Sequence, residues 1–264
     1  MKTLHYFIII CFIFASCNKE YDKSSLREEM LEVNENCMNM PRPVDSYDYP
    51  ILPGSKEWAS FTTGEEMREA CQVPVSVLEK MSTHAVIQAI LEHPQLFLLF
   101  HRYEYQLDLR MVASSNAYSE LAERKDAVAA LSERLFLANP LTKGSERVSM
   151  TLELLISQYV FLSQMNLTEM KKIVEVSLKN DNLRQKHFKL PPLQYDRLIA
   201  LLLIGKIMVA AEYADFLDAV NSNDELKDFL DLEIYCYLIH ERNAGIPKII
   251  TNFGKKFLTL ESNE

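Results

Sequence analysis

Beyond Pro94 the apolar side chains fall at Leu96, Phe100, Tyr103, Leu107 and Met111, intervals of three and four that lie on one stripe of a helix. Phe97, Leu98 and Leu99 widen that stripe to most of the circumference, which predicts a centrally placed helix. Similar patterning predicts further helices at 64–71, 74–80, 83–93, 116–123, 126–138, 146–164, 168–180, 192–220, 224–241 and 246–258. Leu198 to Ile204 and Ile207 to Ala211 form a nearly continuous apolar stretch, interrupted by Gly205 and Lys206. It is too short and too broken for a membrane span, so it predicts a second buried helix.

Boundary chemistry supports these spans. Thr63-Gly64-Glu65-Glu66 reads as a capping box, in which Thr63 accepts from the third helical amide and Glu66 reaches back. Ser82 or Thr83, Asp126, Ser145, Thr168 and Asn223 stand where N-caps are needed, and Pro74 suits a first helical turn. Strand signals are lacking: neither hairpin dipeptides nor sustained alternation occur, and six glycines cannot supply the turns of a many-stranded fold. The expected fold class is all-α, an array of about ten helices, α-solenoid-like or an irregular helical bundle. Repeats of fixed length are absent.

The N-terminus is different text. Met1-Lys2 give a positive start, Leu4 to Phe14 form one apolar run, and Ala15-Ser16 are small residues. The run is well short of the roughly twenty residues that span a bilayer, so it reads as an export signal. Phe14-Ala15-Ser16-Cys17 resembles the lipobox of bacterial lipoproteins, with Phe14 where Leu is commoner. That resemblance implies cleavage before Cys17, acylation of its thiol and new amino group, and membrane attachment through those chains. The organisation expected is a signal peptide over 1–16, a flexible tether over 17–48 and a single helical domain over 49–260. Asn18 to Ser25 carry too little apolar content to order themselves, residues 26–40 can form a short helix, and Pro41-Arg42-Pro43 favours extended backbone. A tether of about thirty residues has a reach of roughly 30 Å. Lys19-Glu20 partly resembles the acidic export tags of some Bacteroidota lipoproteins, and a solvated linker explains it equally well.

Composition changes the picture in two ways. Acidic residues number 37 against 28 basic ones, a formal net charge of −9, which argues against nucleic acid as a partner. The basic group Lys179, Arg184, Lys186 and Lys189 is interrupted by Asp181 and reads as a solvated helix end. Cys37, Cys71 and Cys236 form no Cys-x-x-Cys pair, so zinc and redox sites are unsupported, and no disulfide is expected.

Catalytic signatures are missing. There is no zinc-binding His-Glu-x-x-His, no nucleophile elbow, no phosphate loop and no EF-hand loop, so neither metal nor cofactor is expected. His93 and His101 are separated by Pro94, and His84 reads as a surface residue. Glu65-Glu66, Asp215 with Asp218, and Asp228 with Asp231 read as wet helix faces. Asn166-Leu167-Thr168 fits a glycosylation pattern but reads as a helix start. Trp58, the single tryptophan, follows the Pro53-Gly54 turn and is placed either to nail the incoming tether to the body or to stack a ligand.

Residues 49–136 are similar to a family of uncharacterised exported proteins from Bacteroidota. The marks are Tyr49-Pro50, Pro53-Gly54-Ser55, Glu57-Trp58, Thr62 or Thr63, Glu66, Ala70-Cys71-Gln72-Val73-Pro74, Val77-Leu78 and Met81-Ser82-Thr83. A weaker echo runs through His93-Pro94, Asn116, Glu120-Leu121 and Arg124-Lys125-Asp126-Ala127. The resemblance implies a helical fold and an envelope location, and it carries over no catalytic residue. The expected function is a lipid-anchored outer-membrane protein, on the periplasmic or cell-surface face, that binds a protein, peptide or glycan. The alternatives are a glycan- or cell-wall-acting hydrolase on a helical fold, and an accessory partner in nutrient uptake.

Overall fold

A computed structural model describes residues 41–96, 113–138, 141, 145–188, 195–231 and 245–261. Among them the fold is all-α without strands, with ten helices of seven residues or more and three single-turn helices. In chain order these are α1 (Lys56–Ala59), α2 (Gly64–Ala70), α3 (Val75–Leu78), α4 (Thr83–Leu91), α5 (Asn116–Glu123), α6 (Ala127–Leu137) and α7 (Ser145–Ile156). They continue with α8 (Tyr159–Leu162), α9 (Leu167–Phe188), α10 (Tyr195–Ala210), α11 (Ala214–Asn221), α12 (Asp224–Asp231) and α13 (Gly245–Phe257). The stripe expected over 97–111, the end of the helix expected over 224–241, and Cys17, Cys37 and Cys236 lie outside the described residues.

Several caps follow the local chemistry. Thr63 accepts the Glu66 amide at 3.2 Å while Glu66 accepts the Thr63 amide at 3.0 Å, a closed capping box. Ser82 accepts the Ala85 amide and Asn223 the Leu226 amide. Asp126 does not cap its own helix; its carboxylate accepts the Thr83 hydroxyl instead. Asn166 rather than Thr168 opens α9, because Asn166 and Glu169 exchange side-chain and backbone hydrogen bonds, both 2.9 Å.

Three predicted spans change for identifiable reasons. The helix expected over 146–164 breaks after Ile156, where the Ser157 hydroxyl and the Gln158 side-chain Nε2 both donate to the Leu154 carbonyl. The helix expected over 192–220 is cut at Ala210–Tyr213 by a Schellman turn. There the Tyr213 N–H reaches Met208 O at 3.1 Å, the Glu212 N–H reaches Val209 O at 3.0 Å, and Glu212 takes φ 52°. Tyr213 and Met208 are both buried beneath that turn. The helix expected over 168–180 runs on to Phe188, because Asn180, Asp181 and Arg184 are inside the protein rather than at a solvated end.

The core is built around α10. Leu198 to Ile204, Ile207 and Met208 are all buried, and α10 packs against α7, α9, α12 and α13. A Cβ at Gly205 would meet the end of the Leu230 side chain, so that leucine packs into the space the glycine leaves. The neighbouring helices α6 and α7 stack on α9 and α10, with α6 against α9 and α7 against α10. That like-on-like stacking is the solenoid-like arrangement. No described helix is long and apolar enough to cross a membrane.

A second helix, α4, is enclosed almost completely: Thr83 and every residue from Ala85 to Leu91 are buried. Its cover includes α5, α6 and residues 41–55, which run over it as a strap. Residues 41–48, read from sequence as tether, are therefore part of the packed body. Arg42 reaches Glu92, and Asp45 accepts the Ser82 amide at 2.6 Å.

The Schellman turn gives a direct prediction. A left-handed conformation costs a non-glycine residue roughly 1–2 kcal/mol, and glycine returns part of that through its freer unfolded chain. Glu212→Gly should raise stability in urea unfolding by about 0.5–1 kcal/mol, and Glu212→Val should lower it.

Candidate functional site

Three polar constellations stand out once the helices are in place. The first joins residues 72–83 to residues 116–126. Asn116 Oδ1 accepts the Val73 N–H at 3.0 Å, its Nδ2 donates to the Val73 carbonyl, and its own N–H donates to Gln72 Oε1 at 2.8 Å. The Arg124 guanidinium donates to the carbonyls of Met81 (2.6 Å) and Leu78 (3.2 Å) and to Glu120 (2.8 Å). Thr83 donates to Asp126 at 2.8 Å. Gln72, Val73, Met81, Thr83, Asn116, Glu120, Arg124 and Asp126 all belong to the sequence marks singled out over 49–136. Here they form a clasp that ties two chain segments together.

The second constellation runs along α4. Arg42 holds Glu92 by two hydrogen bonds of 2.9 Å, Gln88 donates to Glu92 at 2.8 Å, and Arg134 donates to Gln88 at 2.7 Å and to the His84 carbonyl at 2.8 Å. Gln88 and Arg134 are fully enclosed and Glu92 nearly so. Glu92 above all holds the Arg42 guanidinium above its usual value. Burial pushes Arg134 down to about 10, so it remains a cation at neutral pH. His84, half-buried, reaches Glu133 at 3.3 Å.

Beside this network His93 is buried, with its ring edge-on to Tyr49 at 6.0 Å and its Nδ1 accepting the Gln95 N–H at 3.2 Å. Burial pulls the imidazole down to about 4, so it is neutral. Cys71 is a buried free thiol pushed up to about 12 by desolvation, which removes thiolate reactivity. Trp58 is buried too, 4% exposed, with its ring edge-on to Phe61 at 5.8 Å.

The third constellation lies between α7 and α9. Arg184 donates to Glu153 at 3.0 Å, and both side chains are within 2% of full enclosure. Ser149, Ser177, Asn180 and Asp181 are buried on the same two helices, and Gln185 donates to Asp181 at 2.6 Å. The sequence reading missed this seam and treated Arg184 as solvated. The signal was present in the spacing: 149 and 153 share one helix face, as do 177, 181 and 184.

One surface groove of about 410 Å³ lies between α6 and α9. Phe136 lines it with Lys172 stacked 4.6 Å above the ring, and Glu133 and Glu169 border it. The carboxylate pairs Glu65-Glu66, Asp215 with Asp218, and Asp228 with Asp231 are exposed. Among the described residues no three His, Cys, Asp or Glu side chains gather in a way that could hold a metal ion. No family model, curated protein or solved structure matches the chain.

Two mutations separate these assignments. Arg124→Ala removes the donors to two loop carbonyls and should lower stability by about 2 kcal/mol in urea unfolding, with Arg124→Lys recovering only part. Arg184→Ala removes the guanidinium that donates to the enclosed Glu153 carboxylate and should cost about 3–5 kcal/mol in the same unfolding measurement.

Proposed function

We propose that this chain is a lipid-anchored binding or scaffold module of the bacterial envelope. The observation that carries the reading is the Phe14-Ala15-Ser16-Cys17 sequence after a short apolar run, which assigns Cys17 as the acylated residue. Two or more acyl chains hold a protein stably at a membrane, where one alone is marginal. The similarity of residues 49–136 to exported Bacteroidota proteins supports the same location, with the outer membrane as the site of attachment.

The geometry of the body supports binding over catalysis. The enclosed carboxylates of Glu92 and Glu153 are engaged by the guanidinium groups of Arg42 and Arg184. The clasp residues spend their hydrogen bonds on backbone carbonyls and on each other. What the surface offers a partner is helical relief, such as the groove beside Phe136 and Lys172. A protein, peptide or glycan are the partner classes such a surface can take.

The test is metabolic labelling with palmitate in a bacterial host, comparing the wild type with Cys17→Ala. Label is expected on the wild type alone, together with its retention in the membrane pellet. Equal labelling of both chains, or wild-type protein recovered unlabelled from the soluble fraction, would reject the anchor.

A further inference from the structure

We propose that residues 41–55 are an acid-released strap, lifted from α4 when His93 takes up a proton. The strap is held at both ends of α4: Asp45 accepts from Ser82 at the N-terminal end, and Arg42 and Tyr49 hold the C-terminal end, where Glu92 and His93 are consecutive. Arg42 grips Glu92 with two hydrogen bonds, and the Tyr49 ring meets the His93 ring edge-on while its hydroxyl donates to the Ala89 carbonyl at 3.1 Å.

His93 cannot accept a second proton in this arrangement. Its Nδ1 already accepts the Gln95 N–H, so protonation there would set donor against donor inside a buried site. Lifting the strap removes Tyr49 from the ring and admits water, which relieves the desolvation of the charged ring and lets water accept from it once the neighbouring Gln95 N–H turns aside. Among the described residues, the charged and titratable groups facing this junction are Arg42, Tyr47, Asp48 and Tyr49 from the strap and Cys71 from the end of α2, while Asp45 sits at the far end of α4 on Ser82. Glu92 comes from the end of α4, and Arg134 from α6 acts through Glu92.

The direction follows from the two protonation states. Burial depresses the imidazole of the strapped form from an ordinary 6.5 to about 4. The strapped form is therefore fully favoured above pH 6.5 and loses ground as pH falls through the interval down to about 4. Between pH 7 and pH 5 the opening equilibrium should rise about 20-fold.

Cys71 reports the opening, since its enclosed thiol lies beside Tyr49. The experiment follows its modification by 4,4′-dithiodipyridine in the full chain by peptide mass spectrometry, normalised to the urea-unfolded chain at each pH. The expected result is a rise of about 20-fold from pH 7 to pH 5 at constant far-UV circular dichroism. In His93→Asn, which keeps an acceptor near the Nδ1 position, the rise should vanish. An unchanged rate in the wild type, the same rise in His93→Asn, or a rise that coincides with loss of helical signal would overturn the proposal. Should His93→Asn fail to fold, the wild-type imidazole titration by NMR decides. Its midpoint must coincide with Cys71 exposure, and titration of a still-protected protein overturns the strap.

Discussion

A helix that is buried on every side cannot carry a charge unless another part of the chain brings the opposite charge to it. Helix α4 carries Gln88 and Glu92 into the interior, and the fold around it is arranged to meet them. Arg42 comes from the strap and Arg134 from α6, so one carboxylate and one amide fix the seating of two separate segments. Leaving either polar group unmatched in that interior would be heavily unfavourable, so the seating is specific as well as stable. The strap's course, the position of α6 and the enclosure of His93 all follow from that requirement.

The same logic recurs between α7 and α9, where Glu153 and Arg184 meet in an enclosed seam bordered by Ser149, Ser177 and Asn180. An all-helical array built from apolar ridges alone could slide by a turn with little penalty. Buried ion pairs and hydrogen-bonded side chains have one register only. Here they sit at the junctions between successive layers, while α10 supplies the apolar mass against which the layers pack.

The polar residues Asn116 and Arg124, singled out in the sequence, take on a physical meaning in this light. Asn116 and Arg124 act on backbone groups of residues 73, 78 and 81, which lie in turns and single-turn helices with few internal hydrogen bonds of their own. A motif of polar residues spread over fifty positions suggests a site when read along the chain. In three dimensions it is the joint between two pieces of chain.

The sequence by itself determined the helical class, most helix starts and the buried character of α10, because these rest on local spacing and on capping chemistry within a few residues. Thr63 with Glu66, Ser82 and Asn223 behave as their immediate neighbours dictate. What tertiary structure alone decided is where polar side chains found partners. Arg184 looked solvated because its partner Glu153 is thirty-one positions away, and residues 41–48 looked like tether because Glu92 is fifty positions from Arg42. The break at Glu212 was equally hidden: the chain there has strong helix formers, and burial of Tyr213 against the core outweighs their preference and the strain of a left-handed glutamate. Local free energies of a few tenths of a kcal/mol can be read from neighbours, whereas burial and charge pairing depend on groups that only folding brings together.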